Sequence, residues 1–270
     1  MGARAKRNPE GRMSLKEHLL EFRRRLLISA AALLLGAIAG WYLFDPVYAH
    51  LTAPLTDLAR QRGDDSALIA LNYAGITAAF SQRLSLAIWI GVIISSPVWL
   101  YEAWAFLAPG LTTKEKRISL LFVAASVPLF LAGCWFGYMT LPKAIQFLLG
   151  ITPDGAANLP EADMYFKFVT RFILIFGLAW LLPVFLVGAN MLHVLPARVM
   201  LNGWRPAVVL IFLAAAIATP TPDPYTMFLM GGPLVVLYFF AVGVAFLNDR
   251  RRKAEEPEWM GLADDEASVL

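Results

Sequence analysis

Four long stretches without a charged side chain constrain the fold of this chain more than any other feature. They contain between 17 and 24 residues each and cover residues 26–44, 84–100, 118–141 and 172–195. A helix needs about 20 apolar residues to cross the hydrocarbon core of a bilayer, which is about 30 Å thick. With 59% hydrophobic and 16% charged residues and a mean hydropathy of +0.61, the sequence predicts an integral membrane protein rather than a soluble domain.

A further apolar region, residues 207–247, is interrupted by the sequence TPTPDPYT. Its prolines and Asp223 end a helix, which predicts two helices at 207 to about 221 and at 225–247. The first would rise only about 22 Å, so a re-entrant hairpin is the alternative to a short span. The predicted fold class is an all-α integral membrane protein with six transmembrane helices, the two C-terminal ones shorter. Prolines 97, 128, 183 and 233 fall within four of the spans and predict kinked helices.

Lysine and arginine are distributed unevenly along the chain. The segments 1–25, 101–117, 196–206 and 248–270 together hold 17 of the 23. Because loops rich in these residues stay on the cytoplasmic side, both termini are predicted to be cytoplasmic. The predicted organisation is a cytoplasmic N-terminal tail with an interfacial helix (1–25), a six-span membrane domain (26–247) and a disordered cytoplasmic tail (248–270).

The first apolar run also has features of a cleavable export signal, since it follows Arg24 and Arg25 and contains AIA at 37–39. A signal peptide has an apolar region of about 7–15 residues, whereas this run has 19. Five further spans would hold the chain in the membrane in any case. The pattern therefore favours a permanent transmembrane helix.

Catalysis, metal binding and solute transport find little support in the sequence. His18, His50 and His193 show no metal-binding spacing, and no GxxxxGK phosphate loop is present. Ser95 and Ser96 have no histidine at matching depth in a neighbouring span, so no enzyme and no cofactor or metal are predicted. A small-solute permease would need polar residues along several spans, and spans one, three and six offer almost none.

Two charged segments precede apolar runs on the predicted cytoplasmic side. In EHLLEFRRRLL, residues 17–27, the carboxylate of Glu21 lies next to three consecutive arginines. In LYEAWAFLAPGLTTKEKR, residues 100–117, Glu115 lies between Lys114 and Lys116. Taken alone, the first segment is typical of an amphipathic helix on the membrane surface, with its arginines toward anionic headgroups and Glu21 in solvent.

Together the two segments resemble the TatC family, the polytopic subunit of the twin-arginine protein translocase. The first part of the resemblance is carried by His18-Leu19-x-Glu21-x-Arg23, Ala53-Pro54-Leu55, Tyr101-x-x-Trp104-Ala105-Phe106-x-Ala108-Pro109-Gly110-Leu111 and Glu115-x-Arg117. The remainder is carried by residues 136–142, Tyr165-Phe166-x-Phe168, Phe176-Gly177, Pro183, Thr219-Pro220 and Asp223. The resemblance covers about residues 14–250.

The resemblance implies a receptor for folded cargo proteins whose signal peptides carry two adjacent arginines. Glu21 and Glu115 would contact that pair, and Glu21 would exchange an internal partner such as Arg23 for the ligand. Two fixed carboxylates can distinguish Arg-Arg from Lys-Lys because a guanidinium donates two parallel hydrogen bonds. The remaining implied signal-peptide residues are His18, Phe106 and Pro109 at the cytoplasmic rim; their ordinary structural interpretation is an interfacial aromatic and a loop breaker.

The resemblance also implies partners and a location. These are TatA/TatB-type single-span subunits, twin-arginine signal peptides, a homo-oligomer within a hetero-complex, and the bacterial cytoplasmic membrane, with export driven by the proton-motive force. Pro54 and Asp223 are family positions on the far side, and Asp223 is equally well explained as a helix N-cap. Glu102, where the family mostly has glutamine, lies at the rim and is a candidate for partner contact.

Three positions depart from the family pattern. Leu181, Met227 and Phe239 stand where the family usually has polar residues. Because ionisable groups within a membrane are costly and usually functional, these replacements leave two accounts open. The chain is either an ordinary member whose groove tolerates apolar residues, or a diverged paralogue that binds signals without efficient export.

Overall fold

The computed structural model describes residues 15–61, 71–107, 113–150, 160–191, 194–218 and 224–255. These residues form ten helices: α1 (Leu15–Tyr42), α2 (Phe44–Gln61), α3 (Ala78–Ile94), α4 (Ser96–Leu107), α5 (Thr113–Gly150), α6 (Ala162–Ala179), α7 (Leu182–Met191), α8 (Ala197–Asn202), α9 (Trp204–Ala218) and α10 (Pro224–Glu255). Over these ranges the one extended pairing is an isolated parallel bridge between Asn72 and Glu161. The predicted all-α class is confirmed.

Over their described residues, the apolar runs of the sequence are mostly helical. Within the described ranges, four helical stretches are long and apolar enough to cross a membrane, namely Lys16–Tyr42, Phe122–Gly150, Ala162–Met191 and Pro224–Arg251. A fifth span results if α3 and α4, which meet at an angle of 61°, cross together. The shorter apolar helix Trp204–Ile217 corresponds to the predicted short fifth span. The count of six spans and the side on which the termini lie stay predictions.

Two of the four prolines predicted to kink a span lie where one helix ends and the next begins. Pro97 is the second residue of α4, directly after the bend at Ser95, and Pro183 is the second residue of α7. Proline fits the first turn of a helix, where its missing N–H has no intrahelical partner to lose. Pro128 and Pro233 instead lie inside the uninterrupted helices α5 and α10.

Close packing of α1 against α3 depends on glycine. A Cβ added to Gly36 would lie 2.7 Å from the carbonyl oxygen of Gly91, and a Cβ added to Gly91 would lie 2.5 Å from the backbone nitrogen of Ala37. Both distances are shorter than van der Waals contact, so any side chain here would push the helices apart. The α5–α6 pair packs around the fully buried rings of Phe130, Phe172 and Phe176, with Trp99 of α4 edge-on to Phe130.

Helix α2 occupies part of the segment between the first two apolar runs, residues 45–83, where the sequence predicts no membrane span. It follows α1 after a one-residue interruption at Leu43 and is fastened to α6 by the Tyr165 hydroxyl, which donates to the carbonyl oxygen of Leu51 at 2.6 Å. Leu51, Pro54 and Leu55 are buried. Helix α2 buries only one side, so its other side can carry polar residues. The sequence therefore shows no long apolar run here.

Helices cross both boundaries predicted between the membrane domain and the tails, and those boundaries stay predictions. The interfacial helix predicted within 1–25 is not a separate element, because residues 15–42 form one continuous helix. At the other end, α10 continues to Glu255, eight residues past the predicted membrane boundary at 247. Residues 256–270 lie outside the described part of the chain.

Candidate functional site

Charged residues of α1 and α4 meet at the beginning of α1. The Arg25 guanidinium donates to Glu21 Oε1 from Nη2 at 2.6 Å and from Nε at 3.1 Å. Its Nη1 donates to Glu102 Oε2 at 2.9 Å. The side chains are 22% exposed for Arg25 and Glu21 and 11% exposed for Glu102. One arginine therefore joins two carboxylates that lie on different helices. Glu21, Arg25 and Glu102 together are called the carboxylate cluster.

The second oxygen of Glu21 is the unsatisfied atom of this cluster. Glu21 Oε2 is buried and has no hydrogen-bond donor among the described residues. An ionised carboxylate can accept about four hydrogen bonds, and a buried acceptor without a donor costs about 1–3 kcal/mol. A donor from a ligand would therefore find an acceptor that the described part of the chain leaves open.

Aromatic side chains cover the same face of α1. The rings of His18 and Phe106 are stacked with centroids 4.5 Å apart, and Phe22 contacts Phe106 at 5.1 Å. His18, Glu21, Phe22 and Arg25 follow each other at helical spacings of three and four residues, so they share one side of α1. Phe106 thus lies beside the carboxylate cluster, together with His18 as the sequence had grouped them.

The internal partner of Glu21 is Arg25, and the prediction that Arg23 takes this role is wrong for this conformation. Two residues along a helix correspond to about 200° of rotation, so Arg23 lies on the far side of α1 from Glu21. It is exposed and lines a shallow groove of about 620 Å³ together with Leu20, Arg24, Leu27, Ile28 and Ala31. Arg25 lies at i+4 from Glu21, the spacing at which helical ion pairs form, and that spacing was readable from the sequence.

The remaining predicted site residues are described unevenly. Glu115 is the third residue of α5, but its side chain lies outside the described part of the structure. Pro109 and Asp223 also lie outside the described residues. Pro54 is buried within α2, far along the chain from the carboxylate cluster. The structure therefore brings together Glu21, Glu102, His18 and Phe106, and it places Arg23 and Pro54 elsewhere.

The three positions that depart from the family pattern differ in environment. Leu181 is 3% exposed and lies at the break between α6 and α7. Phe239 is 41% exposed and its ring lies 6.4 Å from that of Trp204, while Met227 packs against the apolar core. Leucine at 181 thus fills a buried place in the middle of a candidate span, where a polar side chain would need a partner.

A second polar cluster was not anticipated from the sequence. Asn190, which is 1% exposed, donates from Nδ2 to the carbonyl oxygen of Leu195 and to Asp249 Oδ1, both at 3.0 Å. Asp249 Oδ2 accepts from the backbone N–H of Ala197 at 2.9 Å, and Asn248 donates to Asn190 Oδ1 at 2.9 Å. These bonds join α7, α8 and α10. Among the described residues no cluster of three or more metal-ligating side chains occurs.

Comparison with known proteins gives a family over most of the chain. The family model described as Sec-independent protein translocase protein (TatC) matches residues 17–233. The Sec-independent protein translocase protein TatC of Xylanimonas cellulosilytica is 42% identical over 240 residues, which cover 89% of this chain and 86% of that protein. The protein of the same name from Rothia mucilaginosa is 39% identical over 263 residues, which cover 97% and 88%.

Solved structures agree with the sequence comparison. A crystal structure of the twin arginine translocase receptor TatC is 31% identical, with a TM-score of 0.69, and covers 85% of this chain and 98% of that one. A crystal structure of the same receptor in DDM is 30% identical, with a TM-score of 0.71, and covers 84% and 99%. Fold and sequence therefore lead to the same family as the motifs do.

Proposed function

This chain belongs to the TatC family and is a multi-pass membrane component of the Sec-independent, twin-arginine protein translocase, and we propose that it is the subunit that receives twin-arginine signal peptides. It also organises the translocase, which exports folded proteins across the bacterial cytoplasmic membrane. Six spans with both termini in the cytoplasm place the beginning of α1 and the α4–α5 connection on the side where such signals arrive.

The observation that carries the proposal is the state of Glu21. One of its oxygens is held by Arg25 at 2.6 Å and the other is buried without a donor in the described part of the chain. An incoming guanidinium donates two parallel N–H groups to one carboxylate, whereas an ammonium acts as a point charge. Glu21 therefore favours arginine over lysine at the same net charge.

Glu115 is the proposed second carboxylate. The rings of Trp104 and Phe122 stack at 4.5 Å and join α4 to α5. Glu115 lies seven residues before Phe122 on α5, which is two turns, or about 10 Å, toward the beginning of that helix and on the same face. This position lies toward the end of α4 that carries Phe106. Two carboxylates on separate helices match a ligand with two adjacent arginines, and Pro109, which lies in sequence between α4 and α5, is the proposed rim residue beside Glu115.

The partners follow from the family. TatA/TatB-type single-span subunits bind the membrane domain, several copies of which associate in the assembled complex. Pro54 and Asp223 are the proposed partner contacts on the non-cytoplasmic side of the membrane, and Glu102 is the proposed contact at the cytoplasmic rim. The proton-motive force drives export, and no cofactor takes part. The membrane domain is assigned to residues 26–247, with cytoplasmic segments at 1–25 and 248–270.

Leu181 supports one alternative. Because this buried position at the α6–α7 break is apolar, a groove that needs a polar group at this depth would fail here. The chain would then be a diverged paralogue, able to bind signals but inefficient in export.

An export assay separates these functions. A twin-arginine reporter is expressed in cells that lack their own TatC protein and contain this chain with matched single-span partners. Export is expected with the Arg-Arg signal and not with Lys-Lys, and Glu21→Gln and Glu115→Gln are expected to abolish it. Asp45→Asn is the matched control, because the Asp45 side chain is 75% exposed on α2 and its ion pair with Arg83 is long, at 3.6 Å, and such exposed pairs contribute little. Signal binding without export supports the paralogue, and export that ignores both glutamates contradicts the proposal.

A further inference from the structure

A groove between α2, α5 and α6 combines an apolar floor with two cations at its edge. Its volume is about 470 Å³, and its apolar lining includes Leu55, Ile145, Leu148, Met164 and Phe168. Lys167 and Arg171, one turn apart on α6, line the same groove. This groove lies at the opposite end of the fold from the carboxylate cluster, beside α2.

The two cations differ in how their charge is balanced. Lys167 pairs with Asp163 at 2.5 Å, one turn closer to the beginning of α6. Arg171 is exposed and forms no ion pair with any residue in the described ranges. Asp163, Lys167 and Arg171 thus form one stripe at intervals of four residues, with the negative charge at one end and the unbalanced arginine at the other.

The depth of Arg171 in the membrane indicates which part of the bilayer its side chain contacts. The candidate span Ala162–Met191 has 30 residues and is about 45 Å long, which exceeds the hydrocarbon core by about 15 Å. Arg171 lies nine residues, or about 13 Å, from its beginning and directly precedes the charge-free run 172–195, which puts it close to the boundary between headgroups and hydrocarbon. Long cationic side chains at this depth extend toward the interface, and side chains on a helix lean toward its N-terminus. The guanidinium therefore reaches the level of lipid phosphates.

We propose that this groove binds one anionic phospholipid, with its phosphate on Arg171 and Lys167 and an acyl chain along the apolar floor. Arginine binds phosphate through two parallel hydrogen bonds, and an unpaired cation near the hydrocarbon is costly without an anion. The groove volume of about 470 Å³ falls within the range of about 300–1,000 Å³ that is typical of sites for small ligands. Its two cations beside an apolar floor match an anionic headgroup with an acyl chain, whereas an apolar partner helix would leave these cations without an anion.

The proposal depends on membrane placement alone and not on signal-peptide binding. Its test uses the full chain purified in detergent, with native mass spectrometry to count bound lipid and a thermal unfolding scan to monitor folding. The probes are a phosphatidylglycerol, a phosphatidylcholine with the same acyl chains, and inorganic phosphate. Arg171→Gln and Lys167→Gln are compared with Arg198→Gln, which removes an exposed cation on α8.

Phosphatidylglycerol is expected to bind in preference to phosphatidylcholine and to raise the unfolding temperature. Arg171→Gln should weaken its retention roughly tenfold or more, the effect of losing a charge-assisted pair of hydrogen bonds, and Arg171→Lys should lose only part. Arg198→Gln should retain it as the unmodified chain does. Equal retention by Arg171→Gln, equal binding of the two lipids, or full displacement by inorganic phosphate would each overturn the proposal. If Arg171→Gln unfolds, Arg171→Lys and Lys167→Gln decide by the same criteria.

Discussion

Arg25 on α1 and Glu102 on α4 are 77 residues apart in sequence and are joined by a hydrogen bond of 2.9 Å. The same guanidinium also holds Glu21. If a ligand arginine took Glu21 as proposed, Arg25 would not be left without an acceptor, because Glu102 would continue to hold it. The site can therefore exchange its internal cation for an external one without leaving a buried charge unpaired, which would be the costly outcome.

Removing the charge of Glu102 should weaken signal binding. In Glu102→Gln, Arg25 depends on Glu21 alone and competes more strongly with the ligand for it. A loss of affinity of roughly threefold to tenfold is expected, the range of a partly exposed charged hydrogen bond. Binding of a fluorescent twin-arginine peptide to the full chain in nanodiscs measures it, with Asp45→Asn as the control. Unchanged or tighter binding would contradict the exchange.

Arg25 and Arg23 should differ in their effect on stability. Arg25→Gln removes the donor shared by two largely buried carboxylates and should reduce the free energy of unfolding by about 1–2 kcal/mol. Arg23→Gln, on the opposite face of α1, should change it by less than about 0.5 kcal/mol. Thermal unfolding of both variants in one detergent gives the comparison. Equal effects would mean that Arg23 pairs with a carboxylate in the folded chain.

Close contact between α1 and α3 should not tolerate even one methyl group. Gly91→Ala places a Cβ 2.5 Å from the backbone of Ala37, and such overpacking costs about 1–3 kcal/mol. Gly243→Ala is the matched control, because an added Cβ there meets nothing within 4 Å. The yield of monodisperse protein and its unfolding temperature should both fall in the first variant only. A Gly91→Ala protein as stable as the Gly243→Ala protein would argue against this packing.

Replacing Asn190 should lower the stability of the fold, even though Asn190 lies outside the carboxylate cluster. Asn190→Ala leaves Asn248 without an acceptor and removes a donor from Asp249, so a loss of about 1–3 kcal/mol is expected. Asn202→Ala, at an exposed position on α8, should be nearly neutral. Limited proteolysis should cut the α7–α8 connection faster in Asn190→Ala than in the control. Equal rates would show that this cluster does not hold the connection.

Local patterns determine how much of this structure the sequence could predict. Charge-free runs predict α1, α3 to α7, α9 and α10, because membrane insertion requires length and hydrophobicity that can be counted. Helix α2 was missed because its apolar residues cover one side only. The bend at Ser95 depends on Pro97, which lies at the start of a helix rather than within one. The sequence shows this proline but does not show where the preceding helix ends.

Local patterns also explain why only part of the site was predicted from the sequence. Glu21, His18 and Phe106 are motif residues, and the structure brings them together. Arg25 as the partner of Glu21 follows from helical spacing, but the choice among three adjacent arginines requires knowing which face of α1 meets α4. Glu102 was a candidate at the rim, but its pairing with Arg25 and the Asn190 cluster depend on contacts between helices distant in sequence, which no local pattern specifies.

The most direct test of the central claim is the dissociation constant of Arg-Arg and Lys-Lys signal peptides for the full chain in nanodiscs, measured with and without Glu21→Gln. The unmodified chain should prefer Arg-Arg by roughly tenfold or more, as bidentate recognition requires. In Glu21→Gln this preference should fall to within about twofold, since a neutral amide loses the charge-assisted pair. An undiminished preference in Glu21→Gln would show that the arginine pair is recognised elsewhere.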